Sequence, residues 1–94
     1  MNKREAQEIL QSRISELRRL SYDDLKARFL SSVDAVTVKG SSGAEYEIET
    51  EAIWDNRRRG HLRVMVAIDD GGLRALMPLN DSFIVAPDGT FIGE

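Results

Sequence analysis

Residues 44–52 read Ala44-Glu45-Tyr46-Glu47-Ile48-Glu49-Thr50-Glu51-Ala52. The glutamates fall on every second position. Successive side chains of a strand point to opposite faces, so this spacing puts Ala44, Tyr46, Ile48, Thr50 and Ala52 on one face and Glu45, Glu47, Glu49 and Glu51 on the other. A helix would spread both sets around its axis and bury carboxylates on any face it packed. The stretch is therefore a strand with one packed and one solvated face, which belongs to an antiparallel sheet covered on one side.

Working outward toward the C-terminus, Asp55 to Gly60 reads as a hairpin loop and His61 to Ile68 as a third strand, with Leu62, Val64, Val66 and Ile68 on one face. Matching apolar faces sets Ala52 opposite Leu62, Thr50 opposite Val64, Ile48 opposite Val66 and Tyr46 opposite Ile68, with Glu51 meeting Arg63 on the far side. Asp69-Asp70-Gly71-Gly72 is a tight-turn sequence because glycine accepts positive φ. A fourth strand is expected over Leu73 to Leu79, with Val66 opposite Ala75 and Val64 opposite Met77, and Pro78 weakening its end. Ser82 to Ala86 and Thr90 to Ile92 then flank a turn at Pro87-Asp88-Gly89.

Working outward toward the N-terminus, Val33 to Lys39 reads as the first strand, joined through Gly40-Ser41-Ser42-Gly43. Before it the period changes. Ala6, Ile9, Leu10, Ile14, Leu17 and Leu20 recur at steps of three and four, the stripe of an amphipathic helix. Ser21 with Asp24 three residues on is an N-cap pattern that starts a second, short helix to about Leu30, burying Leu25 and Phe29. The fold expected is α+β: an N-terminal helix and a short second helix packed on one face of a four- to six-stranded antiparallel meander sheet, roll-like in arrangement. It forms one domain over residues 1–94, helical over 1–30 and sheet over 33–94.

The 94-residue length leaves no room for a second domain. The net charge of −3 hides an asymmetry: residues 1–32 carry seven Lys and Arg against five Asp and Glu, and residues 33–94 six against eleven. Acidic balance makes nucleic acid an unfavoured partner, since phosphate binding rests on a basic footprint. There is no cysteine, which removes disulfides, thiol nucleophiles and thiolate metal sites. The charged opening Met1-Asn2-Lys3-Arg4-Glu5 and an apolar run no longer than Val64 to Ile68 point to a cytoplasmic protein with no membrane contact.

Candidate chemistry is thin. Neighbouring carboxylates of the Glu45 to Glu51 row stand about 7 Å apart, close enough to share a cation or divide acid and base roles, but no convergent His or Asp accompanies them. A solvated face is the stronger reading. His61 is the only histidine and flanks a turn. None of the serines sits in a nucleophile elbow, and Asp69 to Gly72 lacks the further ligands of a calcium loop. No catalytic residue, metal site or cofactor is therefore expected.

Two surfaces stand out. Arg57-Arg58-Arg59 follows Ile53-Trp54, a guanidinium cluster beside an indole, which are the residue types where binding energy concentrates. Met65, Ala67 and Leu76 fall on the glutamate face and make it more apolar than a solvated face needs, as a self-association contact would. The function expected is a non-enzymatic protein-interaction or regulatory accessory domain that forms a homodimer and binds another protein through Trp54, Arg57, Arg58 and Arg59. The alternatives are a small-ligand pocket or minimal enzyme between helix and sheet, and nucleic-acid binding through the arginine hairpin.

Overall fold

A computed structural model describes residues 2–71 and 78–94. Helix α1 (Lys3–Arg18) begins at Asn2, whose side chain accepts the Glu5 amide, and buries Ala6, Leu10, Ile14 and Leu17. Helix α2 (Tyr22–Phe29) begins at Ser21, whose hydroxyl accepts the Asp24 amide at 3.1 Å, and buries Leu25 and Phe29. Both caps satisfy amides that the first turn leaves without a carbonyl.

Strands β1 (Asp34–Lys39), β2 (Glu45–Asn56), β3 (His61–Asp69), β4 (Leu79–Val85) and β5 (Phe91–Ile92) form a sheet in the order β1-β2-β3-β4-β5, each antiparallel to its neighbour. This is the α+β meander expected, with five strands among the described residues. Helix α1 lies over β3 and β4, and α2 over β2 and β3, all on one face. The core between the layers is Leu10, Leu17, Leu25 and Phe29 against Tyr46, Ile48, Leu62, Val64, Val66, Ile68, Phe83 and Val85. Fully burying each such side chain contributes about 1.5–3 kcal/mol.

The register of β2 on β3 differs from the expectation by two residues. Ala52 faces Val64, Thr50 faces Val66, Ile48 faces Ile68 and Trp54 faces Leu62. The cause is that β2 continues to Asn56, with a bulge between Trp54 and Asn56, so the turn shrinks to Arg57–Gly60. A shift of two keeps every apolar residue on its face, so alternation alone does not detect it. Glu51 consequently faces Met65, and Arg63 faces Ile53. The Arg63 guanidinium instead donates to Asp55 Oδ1 at 3.1 and 2.8 Å and to the Ser82 hydroxyl at 3.2 Å.

The partner of β3 on its other side is also corrected. Val66 faces Asp81 and Val64 faces Phe83, so 79–85 occupies the edge expected for 73–79. Pairing starts just past Pro78, which has no amide proton to give to a ladder, and Phe83 and Val85 supply the inward apolar side chains. Residues 73–77 of the expected strand lie outside the described residues. The last hairpin stands as expected, closed by Ala86 N–H to Thr90 O at 2.8 Å and Gly89 N–H to Ala86 O at 2.9 Å.

Candidate functional site

At the far end of β2 the chain reaches beyond its neighbour. Strand β1 pairs with β2 only as far as Asp34 with Thr50, and a single bridge from Leu30 to Ala52 covers the next step of that edge. Ile53 to Asn56 and the turn Arg57 to Gly60 project past it. Trp54 is on the helix side, half-buried against the core, and Lys26 of α2 sets its ammonium 5.4 Å from the indole centroid. That distance is within the range of a cation–π contact. Ile53, on the opposite face, is 44% exposed.

Arg57, Arg58 and Arg59 are all exposed, and none has a carboxylate within 4 Å among the described residues. The Arg59 amide donates to Asn56 Oδ1 at 3.1 Å and the Gly60 amide to Arg57 O at 3.1 Å, which holds the turn while leaving the three guanidinia outward. Gly60 has φ +73°, and a Cβ there would stand 2.9 Å from Pro87 Cγ, so this corner requires glycine. Tyr22 of α2 anchors the same corner by donating its hydroxyl to Gly60 O at 2.7 Å. The tip is thus held from beneath by α2. Trp54 and Arg57 share an open depression of about 560 Å³ with Leu30, Val33, Ile53 and the acidic Glu51.

The structure therefore brings Trp54 and Arg57 together and keeps Arg58 and Arg59 on the same turn. Met65 and Ala67 lie as neighbours on the outer face, half-buried, with Glu51 and Ser82 flanking Met65 and Glu49 and Asn80 flanking Ala67. Leu76 lies outside the described residues. The glutamate row Glu45 to Glu51 is exposed along the outer face, and no cluster of three His, Cys, Asp or Glu side chains suited to a metal occurs among the described residues. His61 is half-buried at the start of β3. Over the central strands the space between helices and sheet is filled by side chains of 0–7% exposure, and an open groove of about 410 Å³ lies between α1 and β1, lined by Ile9, Arg13, Glu16, Val36, Lys39 and Ile48 among others.

One site was not anticipated from the sequence. The Glu5 carboxylate is buried where α1 meets the β1–β2 turn. It accepts the Ser42 hydroxyl at 2.6 Å, the Tyr46 hydroxyl at 2.8 Å, the Ser42 amide at 2.9 Å and the Ser41 hydroxyl at 3.2 Å. Donation by the Ser42 hydroxyl first, then by Tyr46 and the Ser42 amide, holds the carboxyl at about 2, well below its ordinary value. The Tyr46 phenol is raised in turn by the same bond. With all its acceptor sites engaged by the protein, Glu5 is a structural latch. Its signal in the sequence is the Gly40-Ser41-Ser42-Gly43 run, a turn rich in short donors that can surround an anion.

Among described residues, no helix is long and apolar enough to cross a membrane. No protein-family model, curated protein or solved structure matches the chain.

Proposed function

We propose that the chain is a non-enzymatic interaction or regulatory accessory domain of the cytoplasm, one that self-associates and receives an acidic segment of another protein at Trp54, Arg57, Arg58 and Arg59. The observation that supports this is the set of three guanidinia on one turn without a carboxylate partner among the described residues, beside a half-buried indole. Guanidinium forks pair with carboxylates in two-point contacts, and an aromatic side chain at their base adds apolar contact at little entropic cost. The glutamates of the outer face repel an acidic segment placed elsewhere on the sheet, which confines attraction to the hairpin tip.

Trp54 is the only tryptophan, so its emission reports on this site alone. Titration with an octaglutamate peptide is expected to change that emission saturably, and Arg58→Glu to weaken binding on the order of tenfold. The melting midpoint should hold, since an exposed turn residue away from the core changes stability by about 0.5 kcal/mol or less. A flat titration, or equal binding by wild type and Arg58→Glu, overturns the reading. Tighter, salt-sensitive binding of a single-stranded oligonucleotide would favour nucleic acid as the partner instead.

A further inference from the structure

We infer that two copies of the chain pair through the edge of β1 that no described strand covers, antiparallel about a two-fold axis at Val36, so that their sheets become one continuous sheet. The surface follows from where apolar area is left in water. The large hydrophobic side chains that are exposed among the described residues are Val33, Val36 and Ile53, and all three lie along the β1 side of the sheet. Val33 and Val36 are 54% and 41% exposed. Helix α1 packs chiefly over β3 and β4 and reaches the inner face of β1 through Arg13, which pairs with Asp34 at 3.4 Å, leaving Val36 exposed. The result is a groove of about 410 Å³ between helix and edge strand, whose apolar lining is Ile9, Val36, Val38 and Ile48.

Strand β1 is six residues long and is guarded by a charge only at its two ends, Asp34 and Lys39. Between Asp34 and Lys39 it reads Ala35-Val36-Thr37-Val38, with no charge, proline, glycine or bulge in its pairing with β2. A flat edge rich in β-branched residues is a template for another strand.

Self-pairing is restricted further by the faces. Residues directly opposite in an antiparallel pair share a face, so a symmetric pairing has its axis at a residue, not between two. With the axis at Val36, Val36 meets Val36 of the second copy on the inner face, Asp34 meets Val38, and Ala35 meets Thr37. One step further, Lys39 of the second copy comes beside Val33. Its stem then covers that valine, while its ammonium leans toward Glu51, which borders the same depression as Val33. No like charges oppose each other. An axis at Thr37 would leave Val33 uncovered. The register with its axis at Val36 covers both exposed valines of this edge, sets Val36 against Val36 of the second copy on the inner face, and places a cation between the acidic rows of the two copies.

The inference gives a surface to the self-association proposed above and is independent of the hairpin site, which its failure would leave untouched. The chain has no cysteine, so single cysteines report pairing against a clean background. Sedimentation should show a dimer, and Val36→Lys, which sets two ammonium groups across the axis, should raise its dissociation constant on the order of tenfold or more. Under mild oxidation Val36→Cys should form a disulfide-linked dimer, because opposed residues stand about 4.5–5.5 Å apart between Cα atoms. Thr37→Cys and Met65→Cys should stay monomeric on a non-reducing gel. A wild type that sediments as a monomer at millimolar concentration overturns the inference. So does crosslinking through Thr37→Cys or Met65→Cys in preference to Val36→Cys, the latter result moving the contact to the outer face.

Discussion

Tyr46, the first inward-facing residue of β2, donates its hydroxyl to the Glu5 carboxylate in the first turn of α1 at 2.8 Å. This bond ties the helix start to the sheet across 41 residues of chain, and with Ser41 and Ser42 it holds a buried charge through neutral donors. Its consequence is acid sensitivity. Glu5 ionises at about 2 when folded, against an ordinary 4.5. Between those values the unfolded chain binds more protons than the folded one, so the stabilisation is complete above about 4.5 and is lost as pH falls toward 2. Chemical unfolding midpoints measured from pH 6 to 2 should fall for wild type, and Glu5→Gln should be less stable at neutral pH with a flatter profile. Parallel profiles would show that Glu5 is not the latch.

Gly40 is the backbone on which that carboxylate rests, since a Cβ at this position would run into the Glu5 side chain. Gly40→Ala should therefore destabilise by about 1–3 kcal/mol, the usual range for overpacking. In the double variant with Glu5→Gln, whose side chain can move away at less cost, the two losses should add to less than their sum. Strict additivity in a double-mutant cycle would contradict the contact.

The alternation of Glu45 to Glu51 and the stripe from Ala6 to Leu17 made the layers legible in the sequence, because each pattern has only one way to bury its apolar set. The register of β2 was not legible, because a shift of two residues leaves every side chain on its face and only the bulge before Asn56 decides between the two. Glu5 was hidden for a different reason. An acid in the first turn of a helix normally complements the helix dipole in water, and only the tertiary approach of Ser41 and Ser42 shows that this one is enclosed. The arginine turn was visible by composition, while the fact that no carboxylate among the described residues pairs with it needed the fold.

Arg18 ends α1 by donating to both carboxylate oxygens of Glu94 at 2.6 Å, with its guanidinium carbon 3.9 Å from the centroid of the Phe91 ring. Phe91 meets Phe83 edge-on at 5.7 Å. Arg18→Lys keeps the charge but loses the planar fork and the stack. Amide exchange at Phe91 and Ile92 should accelerate in this variant while the amides of β2 and β3 are unchanged. Unaltered protection of β5 would mean that the clamp contributes nothing to its order.

Leu17 is fully buried between α1 and the sheet. Leu17→Ala should cost about 2–5 kcal/mol, whereas Arg58→Glu should leave unfolding unchanged within about 0.5 kcal/mol. Calorimetry on the pair separates the core from the proposed contact turn; a large loss in Arg58→Glu would mean that the turn holds the fold and would make its binding data uninterpretable as a contact effect.

The most direct test of the acidic-partner site is a backbone amide NMR titration of the wild-type chain with an octaglutamate peptide. The account predicts saturable shifts confined to Ile53 to Gly60, the indole of Trp54 and the neighbouring segment from Lys26 to Val33, all abolished by 0.5 M salt, at which screening shortens electrostatic reach to a few ångströms. Shifts spread along Glu45 to Glu51, or no shifts at millimolar peptide, would contradict it.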